Sequence, residues 1–435
     1  MPTKLTIRIV PSLSEVDPAK WDACANPEIS YSDNSLQDES DSVSEAPDSS
    51  VQAPSGEDAQ RETIDSKLQQ EPFNPFLTHA FLSALEESGS AVPKTGWAGA
   101  HILVEDGTGG LLACAPTYLK SHSQGEYVFD HGWADAYERA GGDYYPKLQV
   151  AVPFTPVTGR RLLTADGADP HARQEIRQQE LQAALLQGFR AISRKAGASS
   201  IHMTFPTRAE WAALGKAGLL QRTGQQFHFF NPGYGDFEDF LGDLASRKRK
   251  AIRKERAGAL QQGVEIEWVT GADIKEAHWD AFFAFYMDTG SRKWGRPYLT
   301  RAFFSLIGER LADRILLVMA RRAGRYIGGA LNLIGDHALY GRNWGAIEDR
   351  PFLHFEACYY QAIDFAISRG LKRVEAGAQG EHKLARGYRP VETYSLHEFA
   401  DPRLERAVAE YLGRERTQVE ANMEAYADYV PFRRG

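Results

Sequence analysis

The sequence predicts a mixed α/β fold, of the α+β kind, in which two similar units follow each other along the chain. Short apolar segments separated by turn residues predict antiparallel strands early in each half. A long amphipathic segment follows them and predicts a helix. A second short apolar segment follows that helix, which is typical of a buried strand in an α/β unit.

In the first half, residues 101–105 and 111–119 predict two strands around Asp106-Gly107, a typical hairpin turn. A helix is predicted over 77–87, with Thr78 as a possible N-cap. Four further predicted elements follow the order of helix and then strand described above. They are a helix over 174–195, a strand over 200–205, a short helix over 208–217 and a closing strand over 225–230.

The second half repeats this order. Its predicted strands are 265–269, 315–320, 326–333, 337–344, 373–376 and 393–399. Its predicted helices are 237–261, 274–289, 301–311, 352–369 and 403–427. We therefore expect two tandem domains, 1–235 and 236–435.

An acidic segment is expected to interrupt the first domain at about residues 30–70. Residues 30–66 hold ten acidic residues and one basic residue, Arg61, so they account for the chain's net charge of −8. Few large apolar side chains are present to offset the entropy of ordering, so we expect disorder. Trp21 and Phe76 are expected to share one core on either side of it. The insertion is either a regulatory or solubilising loop or a tolerated surface insertion.

Composition argues against a disulfide-rich protein and against a membrane-spanning protein. The three cysteines, Cys24, Cys114 and Cys358, are scattered, which argues against a disulfide framework. No apolar run approaches the roughly 20 residues of a membrane span. No signal peptide is recognisable at the N-terminus. We expect a soluble cytoplasmic protein without a membrane span, and we expect neither a metal nor a cofactor.

The richest candidate site lies between residues 339 and 397. A glycine-punctuated loop there carries Gln379, Glu381, His382, Lys383 and Arg386. Glu381 or His382 could take a proton from an attacking amine. Lys383 and Arg386 could hold a carboxylate, a phosphate or a developing oxyanion. The alternative is a structural turn with exposed charges.

Neighbouring segments supply further candidates. His354 and Glu356 open the predicted helix and are additional catalytic candidates, although His354 could equally be a hydrogen-bonded core histidine. Side chains expected to contact substrate beside them are Gln379, Arg342, Trp344, Tyr359 and Tyr360.

Two more groups of residues could bind ligands. Arg247, Arg249, Lys250 and Arg253 lie on one predicted helix and could contact phosphates of a nucleic acid, or form a solvated face. In the first half, a span of interleaved charged and aromatic residues suits either a sugar or peptide acceptor or an interdomain interface. Its candidates are Lys120, His131 and Trp133.

Several long runs carry a family resemblance, among them NPFLTHAFLSALEESGS (74–90), RKRKAIRKER (247–256), YGRNWG (340–345), LHFEACYYQAIDFAI (353–367) and GAQGEHKLARGYRP (377–390). They resemble the FemAB-like group of predicted N-acyltransferases. These belong to the GCN5-related acyltransferase (GNAT) superfamily and are relatives of the FemABX peptidoglycan aminoacyltransferases. The resemblance implies two tandem GNAT-type domains that transfer an acyl or aminoacyl group to an amine.

The sequence also bears on the identity of the acyl donor. A GNAT domain holds the pyrophosphate of acetyl-CoA on a glycine-rich loop at a helix N-terminus. The corresponding residues 345–351 lack that glycine pattern and include Glu348 and Asp349. By resemblance to FemABX we therefore expect aminoacyl-tRNA as donor and an amine-bearing small molecule, peptide or cell-wall precursor as acceptor. The alternatives are an acyl-CoA-dependent GNAT N-acetyltransferase and a non-catalytic peptide or nucleic-acid binding protein.

Overall fold

A computed structural model describes residues 5–27, 72–165, 171–293, 297–377, 380–427, 429 and 431–433. The acidic insertion expected at about residues 30–70 therefore lies outside the described residues. Strands and helices are mixed along the described part of the chain, so the predicted mixed α/β fold is confirmed.

The first half provides nine of the described strands. They are β1 (Thr6–Val10), β2 (Trp97–Gly99), β3 (His101–Glu105), β4 (Leu111–Ala115), β5 (Thr117–Lys120), β6 (Lys147–Val150), β7 (Leu163–Thr164), β8 (Ser200–Thr204) and β9 (Leu220–Phe230). Its described helices are α1 (Pro18–Ala25), α2 (His79–Glu87), α3 (His131–Arg139), α4 (His171–Ala196) and α5 (Arg208–Lys216). Thr78 caps α2 as predicted, because its side chain accepts a hydrogen bond from Phe81 N.

The second half provides the strands β10 (Val264–Thr270), β11 (Ile315–Arg322), β12 (Arg325–Ile334), β13 (Ala338–Ala346), β14 (Arg373–Glu375) and β15 (Arg389–Phe399). Its described helices are α6 (Phe237–Asp243), α7 (Ser246–Ala259), α8 (Glu276–Lys293), α9 (Arg301–Arg310), α10 (Leu353–Phe355), α11 (Gln361–Ser368) and α12 (Pro402–Ala427). A π-helical turn, Glu356–Tyr360, joins α10 to α11.

Three local predictions need correction. The single helix predicted over 237–261 is two helices, because Leu244 is extended and pairs with Phe432 in an isolated bridge. Helix α3 was not predicted at all. The helix predicted from residue 352 begins at Leu353, since Phe352 itself has a left-handed backbone with φ of 64°.

The strands form two sheets. The smaller has the order β1-β3-β4-β7, and the larger has eleven strands in the order β10-β11-β12-β13-β14-β9-β15-β8-β6-β5-β2. Two pairs in the larger sheet are parallel, β6 with β8 and β13 with β14, and the rest are antiparallel. Each parallel pair is linked through a helix, α4 in the first half and α10–α11 in the second. The two halves thus share one strand–helix–strand unit, as expected for tandem GNAT-type domains.

The closing strands are exchanged between the halves. Strand β9 lies between β14 and β15, both from the second half, and β15 in turn pairs with β8 of the first half. The larger sheet therefore runs without a break across the expected boundary at 235/236. The division into 1–235 and 236–435 follows chain order and remains a prediction.

The apolar core agrees with one further expectation. Trp21 and Phe76, on either side of the acidic segment, belong to one buried cluster, and the Trp21 indole donates to Leu77 O at 2.9 Å. Across the described ranges, every helix is too short or too polar to pass through a lipid bilayer.

Candidate functional site

A cleft opens where β13 and β14 diverge. The two strands pair only from Ala338 to Tyr340 of β13, and β14 ends at Glu375 while β13 continues to Ala346. On its other side β13 stays paired with β12, with a bulge at which Arg342 is the extra residue. Bulges re-aim side chains and are frequent beside active sites. No other strand in the described ranges covers the edge of β13 that faces β14. Thr289 and Arg292 of α8 hydrogen-bond the backbone of Ala346 at its far end, and the backbone groups before Ala346 can bind a ligand.

The cleft has about 410 Å³ of space. Four of the predicted site residues line it, namely Arg342, Trp344, His354 and Tyr359. The other lining residues are Ala330, Leu331, Asn332, Gly341, Asn343, Cys358 and Ala376. Arg342 also donates to the carbonyl of Phe154 in the first half, so this side chain joins the two halves at the cleft.

The π-helical turn explains why two of these residues meet. His354 and Tyr359 are five positions apart, which in a regular α-helix would place them about 140° apart around the axis. The wider turn returns them to one side, with ring centroids 5.4 Å apart. The His354 ring also lies 5.5 Å from that of Trp344. Single π-helical turns inside helices are frequent at functional sites.

Tyr359 connects the cleft to the glycine-punctuated loop. Its hydroxyl lies 2.8 Å from His382 Nε2. Burial raises the pKa of Tyr359 well above its ordinary value, so the phenol stays protonated. Burial, with Arg386 and Lys383 nearby, lowers the pKa of His382, so this imidazole is neutral at pH 7. Tyr359 can therefore donate its phenolic proton, and the partner of its hydroxyl, His382, is a neutral imidazole.

The predicted ligand contacts Lys383 and Arg386 have internal partners instead. Lys383 is 1% exposed and its ammonium donates to Gly377 O at 2.9 Å, while burial lowers its pKa to about 8. Arg386 donates to His382 O, pairs with Glu255 at 2.9 Å and lies 3.5 Å above the Phe355 ring. Both side chains therefore stabilise the loop, and neither of them lines the cleft.

Two other candidates also lie away from the cleft. Glu356 is fully buried, pairs with Arg256 at 3.0 Å and accepts from Gln361 at 2.6 Å. Tyr360 is buried and donates to Glu255. The turn that brings Tyr359 to the cleft points Glu356 and Tyr360 elsewhere. Gln379 and the side chain of Glu381 lie outside the described residues.

Sequence reasoning missed Asn332. This amide is 1% exposed on β12 and lines the cleft, and its Oδ1 is buried without a hydrogen-bond partner among the described residues. An unpaired buried acceptor costs about 1–3 kcal/mol, so a ligand that donates to it would be favoured. The sequence feature that could have indicated Asn332 is its position as a single amide inside the apolar run Ala330–Ile334.

Helix α7 lies against the loop and the π-helical turn through Glu255 and Arg256. Of the four residues predicted to contact phosphate, Arg249 donates to Leu244 O at 3.2 Å and Arg253 pairs with Glu238. Arg247 and Lys250 are exposed and have no side-chain partner in the described part of the chain. These two keep the capacity to bind phosphate.

The first-half candidates surround a buried charge cluster. Lys147 Nζ lies 2.6 Å from Asp130 Oδ2, and Lys120 Nζ lies 3.6 Å from Glu126 Oε1 and 3.6 Å from the centroid of the Trp97 ring. All four charged side chains are at most 4% exposed. Burial lowers the pKa of Lys120 to about 7. The cluster is an internal ion network.

Lys120 is therefore enclosed and does not face a groove. Trp133 is 9% exposed and its ring stacks on that of His202 at 6.4 Å. Only His131 of these three candidates is exposed, with its ring stacked on Phe129 at 6.2 Å. The described residues contain no group of three or more His, Cys, Asp or Glu side chains arranged to hold a metal.

Comparison with known proteins assigns the family. Residues 58–434 match the FemAB-like family of peptidoglycan biosynthesis/recognition, so the chain belongs to that family. No curated protein sequence matches it. Membership supports an enzyme of the acyl- or aminoacyltransferase kind.

Several solved structures are similar to this chain at low sequence identity. FemX is 12% identical, covers 78% of this chain and 96% of its own, and gives a TM-score of 0.49. L-PGS from Bacillus licheniformis is 10% identical, covers 80% and 99%, and gives 0.46. A tandem GNAT protein from the clavulanic acid biosynthesis pathway is 11% identical, covers 92% and 99%, and gives 0.40.

Proposed function

We propose that the protein transfers an acyl or aminoacyl group from an activated ester or thioester to the amine of an acceptor, and that the bond is made in the β13–β14 cleft. The observation that carries the proposal is the open edge of β13 beyond Tyr340, beside the Tyr359–His382 pair. An extended donor chain can add to such an edge through backbone hydrogen bonds. The phenol then lies beside the bond to be broken.

The chemistry needs one proton removed and one supplied. The neutral amine attacks the carbonyl carbon, the bond from that carbon to oxygen or sulfur breaks, and an amide forms. In the Nε2–H tautomer of His382, the ring donates to Tyr359 and leaves the phenolic proton for the leaving group. His354, on the same side of the cleft, takes the proton that the amine loses. The proton held by His354 then passes to the Tyr359 phenolate, whose ring lies 5.4 Å away, and all three side chains return to their starting states.

Asn332 and β13 have positioning roles. The unpaired Oδ1 of Asn332 can accept an N–H of the attacking amine, which fixes the direction of its lone pair. Backbone N–H groups on the open edge of β13 can stabilise the oxyanion of the tetrahedral intermediate. Both contributions come from the strand scaffold and are in place before substrate arrives.

Aminoacyl-tRNA is the proposed donor. Arg247 and Lys250 present free cations on α7, the helix that packs against the loop carrying His382. Each phosphate contact makes binding weaker as salt increases. Acyl-CoA is the second candidate, because its amide-containing arm would pair equally well with the open edge of β13.

The test is a transfer assay with labelled aminoacyl-tRNA and labelled acetyl-CoA, each with a set of amines as acceptors. We expect Tyr359→Phe to lower the transfer rate about 100-fold or more, since it removes one proton donor and little volume. Tyr429→Phe is the matched control, because Tyr429 is 70% exposed. Full activity of Tyr359→Phe would refute the assigned site, and absence of transfer from both donors would refute the function.

A further inference from the structure

A second, larger groove lies on the sheet beside the cleft. It has about 890 Å³ of space and runs between α12 and the segment 127–129. Its floor is formed by β9 and β15, the two strands exchanged between the halves. The groove lies on the side of the sheet that carries the Arg222 side chain, because Arg222 pairs with Glu415 of α12 at 2.7 Å. Ser395 lies opposite Arg222 on β15 and is on the same side.

Gly224 is the most informative residue of this floor. It lies in the middle of the eleven-residue strand β9 without a left-handed backbone, so no turn requires glycine there. A Cβ built at this position would meet only Thr393 Oγ1, at 2.9 Å, within 4 Å. Glycine weakens a strand interior and often marks a close approach by a ligand. The missing side chain therefore leaves space above the floor.

Thr393 gives a second, independent indication. It lies opposite Gly224 on β15 and is 6% exposed, yet its hydroxyl has no hydrogen-bond partner in the described part of the chain. Because Thr393 lines the groove, its hydroxyl can bond a ligand hydroxyl or amide there.

The lining favours an uncharged ligand. Arg222 and Glu415 are its only charged residues among those described, and they neutralise each other. The other polar side chains on the face of Arg222 are hydroxyls and amides, namely Gln226, Thr393 and Ser395, and α12 adds Asn422. At the rim, the Phe129 ring is 60% exposed. Amides and hydroxyls beside an exposed ring suit a sugar, whose hydroxyls bond and whose C–H face packs on the ring.

The groove also adjoins the cleft. Tyr127 lines the groove and is an electrostatic neighbour of Arg342, which lines the cleft. Strand β9 is two places and β15 three places from β13 in the sheet. At the usual spacing between strands these distances are about 10 Å and about 14 Å.

We propose that this groove binds an uncharged saccharide over Gly224 and Thr393. The assignment of that saccharide to the acceptor rests on the proposed function, but its binding does not. The groove would hold the acceptor's sugar while its amine reaches past Tyr127 to the cleft.

The test is calorimetric titration of the full-length protein with an uncharged oligomer of four N-acetylglucosamine units. We expect saturable binding, weakened at least about tenfold in Gly224→Val, whose side chain fills the space above the floor. Phe129→Ala removes only an exposed ring and should also weaken binding. Gly107→Val is the control, because a Cβ there meets nothing within 4 Å and lies in a distant hairpin turn.

Three results would overturn the proposal. They are no binding by the wild-type protein, equal binding by wild type and Gly224→Val, and displacement of the bound sugar by an uncharged tetrapeptide. Transfer to a small amine without a sugar separates the two proposals. Gly224→Val should leave that reaction unchanged, whereas failure of transfer with intact sugar binding would remove the acyltransferase proposal alone.

Discussion

At the scale of single residues, the chain keeps several histidines neutral inside the fold. His202 Nδ1 lies 2.7 Å from His397 Nδ1, so one ring must donate and the other accept. Burial, with Lys147 as the next cause, lowers the pKa of His202 to about 3, and burial lowers that of His397 well below its ordinary value. A proton on both rings would break this hydrogen bond, so acid works against the folded state here.

We therefore predict a loss of stability with falling pH that starts near 6.5. Between about pH 6.5 and pH 3 the unfolded chain binds protons at these positions and the folded chain does not. Each such histidine then costs about 1.4 kcal/mol per pH unit. In His397→Asn, the fall of the melting temperature between pH 7 and pH 4.5 should be shallower than in wild type.

His131→Asn is the control for that experiment, because His131 is exposed. Its slope should match that of wild type. An unchanged slope in His397→Asn would mean that the buried pair does not control acid stability.

At the scale of elements, α7 anchors the helix that supplies His354 and Tyr359. Arg256 on α7 pairs with the fully buried Glu356, at 3.0 Å, inside the π-helical turn. Arg253, three positions earlier, pairs with Glu238 on the surface. One helix thus carries a buried and an exposed ion pair, so their contributions can be compared in the same setting.

We predict that Arg256→Ala lowers the free energy of unfolding by about 3 kcal/mol, because it leaves the Glu356 carboxylate buried without its cation. Arg253→Ala should change it by less than about 0.5 kcal/mol, since an exposed ion pair contributes little. Urea unfolding followed by circular dichroism measures both. Similar losses in the two variants would show that the buried pair has no special role.

The sequence predicted the long elements well, because periodicity over many residues reports burial directly. The helix predicted over 174–195 is α4, and the strands predicted over 315–320 and 326–333 are β11 and β12. It could not reveal the π-helical turn, since one extra residue in a turn leaves the apolar pattern almost unchanged. As a result, His354 and Tyr359 were identified as a group with Glu356 and Tyr360, which face elsewhere.

Other parts of the site depend on contacts between distant segments. Lys383 and Arg386 were predicted to contact a ligand because ionisable residues on a glycine-rich loop usually face solvent. In the structure Lys383 donates to Gly377 O and Arg386 pairs with Glu255. The groove across β9 and β15 requires two strands that are separated by more than 150 residues. Local patterns carry no information about such pairing.

At the scale of the whole molecule, the exchanged strands make the two halves depend on each other. Without β15, β8 has an open edge, and without β9, β14 pairs only with β13. Unpaired edges of this length favour aggregation. Neither half by itself completes the larger sheet.

We predict one cooperative unfolding transition for the whole chain. Tryptophan fluorescence and circular dichroism should give coincident urea curves, as in a two-state protein. The fragments 1–235 and 236–435 expressed separately should be unfolded or aggregated, and should regain structure only when mixed. Two separate transitions, or a stable isolated half, would show that the strand exchange does not couple the halves.

The exchange of strands also determines when β8 can pair with β15 during synthesis of the chain. Strand β8 leaves the ribosome about 185 residues before its neighbour β15, a delay of about 10 to 40 seconds at ordinary elongation rates. During that interval the nascent first half has a strand edge on β8 that no other described strand of that half covers. A chaperone that shields nascent chains would therefore raise the yield of this protein more than that of one whose halves fold in order of synthesis.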